Sequence, residues 1–398
     1  MRWLIVEDAL QDRKGHWFEY VRTFRRGLLE LGDSVTVLAS KKAEPFIVNE
    51  LEARPVLPTS IWHRMSDGAG LMTRYGRVPW HAVQTWRGVR AALRTDDEYD
   101  IIFVPTVSVH HLLGWVRLIK GVLRNSCSRV LLYFLSTPIR IDADGNAQWI
   151  RSPTSRLLLR LLTNLRPEVE RGKVAIGVET VPLQKALSQV AAIPVRYLPQ
   201  PVEPFAGNTP DQLEEMLLGS YGPARHEKGS DILMAAIEKF LESYPDSRTR
   251  FAVQWLNGFA LPDGKHSELP RKLEQHPRVE IIRRFFDNGE YGRRLSQTQA
   301  VVLPYRLSSY RLRGSRVAIE AMVHGIPMVA TRGTAPAQQA EQFGAVVLCE
   351  DENVGSLVQA IHMIQQNFAA LKERAEQQKV NAREHFSVRQ FRDFLLAA

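Results

Sequence analysis

The chain has 398 residues, of which 44% are hydrophobic and 24% are charged, and its formal net charge is +9. The length predicts two domains, and the composition excludes an intrinsically disordered protein. No apolar run approaches the ~18 residues of a membrane span, and the first residues lack a signal-peptide pattern. The distant cysteines Cys127 and Cys349 argue against disulfides or structural zinc. We therefore expect a protein of the reducing cytoplasm.

The first half of the sequence alternates short apolar strands with amphipathic helices. A strand over residues 3–7 precedes a helix over 17–31. Later segments are continuously apolar, as buried parallel strands are. The predicted strands after the first are 34–40, 100–107, 129–136, 173–178 and 195–200, with helices such as 81–94 between them. This order predicts a doubly wound sheet of βαβ units.

A second series of strands follows a stretch rich in Pro and Gly over residues 198–212, which predicts a linker. The predicted strands of this series are 215–222, 250–256, 279–285, 300–305, 328–333 and 345–350. The remainder of the chain reads as helix. The sequence therefore predicts two α/β domains of similar size and a helical tail.

Two of the loops that follow strands have residue types that bind anionic groups. Gly15 and His16 follow the first strand, where glycine lets the backbone approach a ligand and a helix start favours negative charge. An ordinary turn explains this loop equally well. Arg225 and Lys228 precede a helix that begins near Ser230, where cations can hold a diphosphate. A charged turn is the alternative there.

A third loop, after the predicted strand 300–305, carries aromatic, basic and acidic residues. The rings of Tyr305 and Tyr310 are suited to stacking on a base or sugar, and Arg313 to binding phosphate. Ser315 is suited to capping the next helix or to binding phosphate through its backbone N–H. Glu320 can accept hydrogen bonds from both ribose hydroxyls, and its apolar neighbours argue against an exposed or salt-bridged helix residue.

The positive charge is spread along the chain. The helical segments 110–124 and 155–166 place Arg and Lys among apolar residues. Two interpretations stay open, namely amphipathic helices with a solvated face or a basic surface that rests on anionic lipid. No pattern of a nucleic-acid-binding motif is present, so we expect no nucleic-acid partner.

The EKGSD sequence at 227–231, the block over 304–331 and the first loop with Gly15 and His16 together resemble the GT-B glycosyltransferases of the retaining family 4, or group 1, type. The resemblance covers nearly the whole chain and is strongest over 219–350. It implies an α/β, GT-B fold with two Rossmann-like, doubly wound domains facing across a cleft. The N-terminal domain, residues 1–203 with a helix over 380–398 that crosses back to it, would bind the acceptor. The C-terminal domain, residues 204–379, would bind the nucleotide-sugar.

The resemblance also implies a hexosyltransferase-like enzyme that works with retention and needs neither metal nor cofactor. It would move a sugar from a UDP- or GDP-sugar to a glycan or lipid-linked acceptor. The basic surface suits an acceptor that is anchored in an anionic leaflet, and we therefore expect a role in bacterial cell-surface polysaccharide synthesis. The setting would be the cytoplasm, peripheral to an anionic membrane surface at the inner face of the plasma membrane. Arg225 and Lys228 would neutralise the leaving diphosphate, and Glu320 would bind the ribose.

Three positions depart from the pattern of the family. Leu312 stands where the first glutamate of a pair is expected, Pro223 where an arginine is usual, and Leu135 where a catalytic-site histidine is frequent. His110 or His111, after the preceding strand, is the nearest replacement for that histidine. These departures keep open a catalytically silent GT-B protein that binds nucleotide or glycan, and an epimerase or phosphorylase is a further alternative. The donor, the acceptor and the oligomeric state stay open.

Overall fold

The computed structural model shows two compact units. The first comprises Met1–Pro201 and Val388–Ala398, and the second comprises Val202–Ser387. The sequence predicts this division after residue 203. The structure describes residues 1–12, 17–60, 71–93, 98–126, 128–142, 144–205 and 215–397. In these residues no helix is long and apolar enough to cross a membrane.

The N-terminal unit contains nine strands in its described residues. They are β1 (Arg2–Val6), β2 (Ser34–Ser40), β3 (Arg54–Leu57), β4 (Ile101–Val104), β5 (Arg129–Phe134), β6 (Ile139–Ile141), β7 (Ala147–Trp149), β8 (Val174–Val178) and β9 (Arg196–Tyr197). Seven of them form one parallel sheet in the order β3-β2-β1-β4-β5-β8-β9, and β6 pairs with β7. The strand order reverses between β1 and β4, which is the position where open α/β sheets bind ligands.

Helices cover the sheet of the N-terminal unit. They are α1 (Trp17–Glu30), α2 (Pro45–Leu51), α3 (Leu71–Ala92), α4 (Val109–Lys120), α5 (Pro153–Glu170) and α6 (Val181–Ala191). The apolar sides of α1 and α2 contribute to a core that also contains Trp3, Phe103 and Tyr133. Burial of the apolar side chains of this core is the main driving force for folding the unit.

The C-terminal unit contains a second parallel sheet. Its described strands are β10 (Leu217–Ser220), β11 (Arg250–Gln254), β12 (Phe259–Ala260), β13 (His266–Ser267), β14 (Val279–Ile282), β15 (Ala300–Leu303), β16 (Met328–Thr331) and β17 (Val346–Cys349). Six of them are ordered β14-β11-β10-β15-β16-β17, and β12 pairs with β13. Loops at the carboxyl ends of β10 and β15 therefore lie side by side.

The helices of the C-terminal unit follow its strands. They are α7 (Ser230–Ser243), α8 (Arg271–Glu274), α9 (Asn288–Ser296), α10 (Leu307–Tyr310), α11 (Arg316–Val323), α12 (Ala335–Phe343), α13 (Val354–Gln366) and α14 (Phe368–His385). The predicted fold class, α/β with two doubly wound sheets, is confirmed. β3 and both hairpins were not predicted, because strands of two to four residues are too short to show a hydrophobic period.

The last helix, α15 (Val388–Leu396), belongs to the N-terminal unit. Its Phe391 is fully buried, and its ring centroid lies 4.7 Å from that of Phe24 and 5.7 Å from that of Tyr133. Arg392 Nε donates to Asp33 Oδ2 at 2.8 Å, and the indole N–H of Trp3 donates to the same oxygen at 3.0 Å. The C-terminal helix is therefore part of the N-terminal core.

Replacing Phe391 with alanine leaves a cavity in that core. We expect Phe391→Ala to lower the free energy of unfolding of the N-terminal unit by about 3–5 kcal/mol. Of the eight tryptophans, all except Trp255 precede residue 202, so tryptophan fluorescence during urea unfolding reports mainly on this unit. Val380→Ala is the control, because Val380 is 71% exposed on α14. An equal loss in both variants would contradict the packing described for α15.

Candidate functional site

Lys228 lies in the loop that follows β10, in a short 3₁₀ helix (His226–Lys228). A Cβ atom on Gly222 would lie 2.4 Å from Lys228 Nζ, so the ammonium group sits directly over this glycine. Burial, together with the nearby charge of Arg225, lowers the pKa of Lys228 from 10.5 to about 8. Among the residues that the structure describes, no carboxylate forms an ion pair with Lys228.

Two arginines, Arg225 and Arg313, lie near Lys228. Arg225 is largely exposed, and its Nη1 lies 3.6 Å from Glu227 Oε1. The guanidinium of Arg313 lies 5.0 Å from the centroid of the Tyr310 ring, and its charge also lowers the pKa of Lys228. Within the described ranges only Arg225 of these three cations has a carboxylate partner. The loop after β10 and the loop after β15 thus form a local excess of positive charge.

A close backbone contact holds these two loops together. Gly229 has φ of 62°, and a Cβ atom there would lie 2.0 Å from the carbonyl oxygen of Pro304. The buried Arg306 donates two hydrogen bonds to the carboxylate of Asp231, at 2.9 and 2.7 Å. Its backbone N–H donates to the carbonyl oxygen of Glu227 at 3.1 Å. The glycine and the arginine therefore fix the EKGSD loop on the carboxyl end of β15.

Tyr305 and Tyr310 are both buried after β15, and their ring centroids lie 4.2 Å apart. The Tyr305 hydroxyl lies 3.3 Å from Ser315 Oγ. Ser315 Oγ also accepts a hydrogen bond from the backbone N–H of Ala318 at 3.3 Å, so Ser315 caps α11. The two rings contact each other in a tilted arrangement, with an angle of 31° between their planes, and their contact with a base or sugar stays a prediction.

Glu320 is buried on α11, with 2% of its surface exposed. The Tyr291 hydroxyl donates to its Oε2 at 2.6 Å, and Arg316 Nε donates to its Oε1 at 2.8 Å. The sequence-based argument against a salt-bridged Glu320 is therefore wrong, because Arg316 lies one helical turn earlier on the same face. Each carboxylate oxygen has a second lone pair, so both can still accept a hydroxyl.

The other positions that the sequence singled out, in both units, are apolar or lie outside the described residues. Leu312 is buried, and Pro223 lies next to Gly222 in the loop after β10. In the N-terminal unit, Leu135 packs against the core at the end of β5. Gly15 and His16 lie outside the described residues, so their predicted contact with substrate stays a prediction.

The two histidines proposed for the N-terminal unit have different surroundings. His110 is half-buried with its Nδ1 3.1 Å from Ser108 Oγ, and burial lowers its pKa from 6.5 to about 4. His111 is buried, and its Nε2 lies 3.1 Å from Asp8 Oδ2. The Nε2 of His81, on α3, lies 2.7 Å from the same Asp8 oxygen. His111, and not His110, therefore lies within hydrogen-bonding distance of Asp8.

Four residues of these two sites were not predicted from the sequence, namely Asp8, His81, Tyr291 and Arg316. Asp8 follows the first strand, and an acidic residue in that position was a usable signal. His81 is 73 residues from Asp8, and Tyr291 is 29 residues from Glu320, so no local spacing connects either pair. Arg316 was recognisable from its separation of four residues from Glu320 on a predicted helix.

Comparisons with known proteins bear on this arrangement. Residues 216–367, within the C-terminal unit, match the family model described as glycosyl transferases group 1. A search of curated protein sequences finds no significant match to the chain.

Solved structures of glycosyltransferases have the same fold over the whole chain. Sucrose-phosphate synthase from Thermosynechococcus elongatus is 15% identical over 98% of this chain and 96% of that chain, with a TM-score of 0.65. HepE from Anabaena, in complex with UDP and glucose, is 14% identical over 98% and 97%, with a TM-score of 0.63. A structure from E. coli described as trehalose-6-phosphate, bound with UDP-2-fluoro glucose, is 12% identical over 100% of both chains, with a TM-score of 0.66.

The protein therefore has the fold of a GT-B glycosyltransferase. The resemblance to group 1 glycosyltransferases that the sequence suggested is confirmed, and the family match lies over residues 216–367. At these identities the structural likeness shows the fold and leaves the reaction to be argued from the site.

The environment of Lys228 predicts an unusual reactivity. Burial disfavours the ammonium form, so the neutral amine forms above about pH 8 rather than above 10.5. In competitive labelling with acetic anhydride, we expect half-maximal reaction of Lys228 near pH 8. N-acetyl-lysine amide in the same tube gives the reference for a solvated lysine, near pH 10.4. A Lys228 profile that follows the reference would contradict the burial and charge described here.

Proposed function

We propose that the protein is a glycosyltransferase that moves a sugar from a UDP- or GDP-sugar to a glycan or lipid-linked acceptor. The observation that carries the proposal is the group of Arg225, Lys228 and Arg313 at the carboxyl ends of β10 and β15. Two of these cations have no carboxylate partner in the described part of the chain. A nucleoside diphosphate supplies the compensating negative charge. UDP in the Anabaena structure and UDP-2-fluoro glucose in the E. coli structure support this donor class.

The three cations would stabilise the departing diphosphate, as a divalent ion does in metal-dependent transferases. The bond between the anomeric carbon and the phosphate oxygen breaks, and a bond to the acceptor oxygen forms. For retention, the acceptor approaches from the face that the diphosphate leaves, and its proton passes to the leaving phosphate. This route needs no cofactor, and His110 is retained as a candidate residue on the acceptor side.

Glu320 would bind the ribose of the donor. Its carboxylate is held by Tyr291 and Arg316, one on each oxygen, which fixes its orientation before the ligand arrives. The Nη1 of Arg316 is buried and has no hydrogen-bond partner among the described residues. A polar ligand beside Glu320 would satisfy this donor as well.

Turnover of nucleotide-sugars tests the proposal without knowledge of the acceptor. A panel of UDP- and GDP-sugars is incubated with the protein, and release of UDP or GDP is measured with water alone and with a bacterial lipid extract. We expect slow release from one donor and faster release with extract. Saturable nucleotide binding without any release would contradict the proposal and favour the silent binder, for which Leu312 is the specific observation.

Donor affinity tests the residues of the site. We expect Lys228→Met and Glu320→Gln each to weaken UDP binding, measured by titration calorimetry, by on the order of 1–3 kcal/mol, because each removes a charged hydrogen bond. Lys265→Met is the control, because Lys265 is exposed beside β13. If both site variants retain the wild-type affinity while remaining folded, the assignment of the donor site is wrong.

One face of the N-terminal unit suits an acceptor that is anchored in a membrane. The helices α3 and α4, and α5 as far as Pro167, contain no acidic residue. α3 and α4 pack closely, since a Cβ on Gly114 would lie 2.9 Å from the Ala82 carbonyl oxygen and the Arg117 guanidinium lies 4.5 Å from the Trp86 ring centroid. Trp80 is 48% exposed on this face. We infer that the face rests on an anionic bilayer, which places the protein at the inner face of the plasma membrane.

Binding to vesicles tests this surface. We expect the protein to sediment with vesicles that contain phosphatidylglycerol and not with vesicles of phosphatidylcholine alone. The double variant Arg87→Ser, Lys120→Ser removes two cations of the face, and we expect about 30-fold weaker binding at about 1 kcal/mol per charge. The double variant Arg271→Ser, Lys272→Ser on α8 is the control. Equal loss in both double variants, or binding to neutral vesicles, would contradict the proposed surface.

A further inference from the structure

The N-terminal unit has a buried group of titratable side chains at the position where the strand order reverses. Asp8 follows β1, and His111 lies in the first turn of α4, after β4. β1 and β4 are neighbours in the sheet, so their carboxyl ends meet. The third member, His81, comes from α3. Topology therefore brings a carboxylate and two imidazoles from three segments to one point.

The distances within this group suit a metal ion. The Nε2 atoms of His81 and His111 lie 2.7 and 3.1 Å from Asp8 Oδ2, and the three ligand atoms all lie within 4.8 Å of one another. Nitrogen and oxygen ligands at about 2.0–2.2 Å from a tetrahedral ion lie roughly 3.3 Å apart. Small movements of the side chains are sufficient to accommodate an ion. We propose that Asp8, His81 and His111 bind a divalent transition-metal ion of the zinc class.

The two buried carboxylates of the site favour the binding of a cation. Glu7 and Asp8 are adjacent, and both are at least nine-tenths buried. Glu7 Oε2 and Asp8 Oδ1 are buried and have no hydrogen-bond partner in the part of the chain that the structure describes. A buried carboxylate oxygen without a partner is costly, because the charge loses its hydration. A divalent ion on Asp8 offsets this cost for the Asp8 carboxylate.

A small cavity adjoins Asp8 and His111, two of the three ligands. Its volume is about 10 Å³, and Glu7, Asp8, Thr106 and His111 are among the residues that line it. This volume accommodates about one water molecule. Three protein ligands and one water is the arrangement of an open zinc site, whereas structural sites use four protein ligands. The three protein ligands and the room for one water molecule therefore both fit an open, four-coordinate zinc site.

The ring proton of His111 has a hydrogen-bond acceptor both without and with a bound metal ion. Without metal, His111 Nδ1 accepts a hydrogen bond from the backbone N–H of Ser108 at 3.2 Å, which places the ring proton on Nε2, facing Asp8. With an ion on Nε2, the proton moves to Nδ1 and is donated to Ser108 Oγ, 2.9 Å away. Ser108 Oγ then accepts the outer hydrogen bond that metal-binding histidines ordinarily make. The hydrogen bond from the Ser108 backbone N–H to His111 Nδ1 is lost.

The same three side chains also form a hydrogen-bonded group without metal, in which both imidazoles donate to Asp8. Glutamine distinguishes the two states, since its amide N–H can replace the imidazole donor while it is a poor ligand for zinc. The proposed site lies in the N-terminal unit, whereas the diphosphate site, for which the sequence predicted no metal, lies in the C-terminal unit.

Cobalt binding tests the proposal. Untagged protein is treated with a chelator, dialysed and titrated with Co²⁺, which shows a visible absorption band in tetrahedral nitrogen and oxygen coordination. We expect saturation at one equivalent per chain and loss of the band when Zn²⁺ is added. A folded wild-type protein that shows no saturable band, and no heat of Zn²⁺ binding by calorimetry, would overturn the proposal and leave the hydrogen-bonded group.

Matched variants locate the ion. We expect His81→Gln and His111→Gln each to weaken Co²⁺ binding by about 100-fold or more, since even outer-shell changes cost 10–100-fold. The control is His266→Gln, because His266 is exposed on β13 of the C-terminal unit, and this variant is expected to bind Co²⁺ as the wild type does. If a glutamine variant fails to fold by circular dichroism, the wild-type titration still decides. A band that survives both His81→Gln and His111→Gln would overturn the assignment.

Discussion

The contact between Gly229 and the carbonyl of Pro304 is the constraint on which the candidate donor site depends. A Cβ atom at position 229 would lie 2.0 Å from that oxygen, so the loop after β10 reaches the end of β15 only with glycine there. Arg306 then ties the loop to Asp231, at the start of α7. With the loop fixed, Lys228 lies over Gly222, close enough to Arg313 for each charge to affect the other. The close fit between the loops after β10 and β15 thus brings the positive charges of Lys228 and Arg313 together.

Much of this arrangement could be predicted from the sequence. Continuous apolar runs located the long strands, such as residues 129–136 for β5 (Arg129–Phe134), because buried parallel strands carry little polar sequence. Serines marked the starts of α7 and α11. The partners of the charged side chains could not be predicted in the same way. Tyr291 meets Glu320, and His81 meets Asp8, only because helices from distant parts of the chain fold onto the same strand ends.

The two units have charges of opposite sign in the loop that follows the first strand of each sheet. The C-terminal unit partly buries Lys228, in its first strand-end loop, without a carboxylate partner in the described residues, so its surroundings favour an anion. The N-terminal unit buries Glu7 and Asp8 at the equivalent place after β1, and its surroundings favour a cation or hydrogen-bond donors. Both sites stand at the carboxyl ends of parallel strands, where the fold provides room for ligands. The residue types, rather than the fold, therefore determine which ligand each site accepts.

The most direct test of the donor site compares UDP, UMP and uridine by titration calorimetry in magnesium-free buffer. If Arg225, Lys228 and Arg313 hold the diphosphate, UDP binds about 10-fold or more tightly than UMP, since the second phosphate adds charged hydrogen bonds. GDP and GMP give the same comparison if the donor base is guanine. Equal affinity for the diphosphate and the monophosphate of both bases would contradict the assignment of these cations to the leaving group.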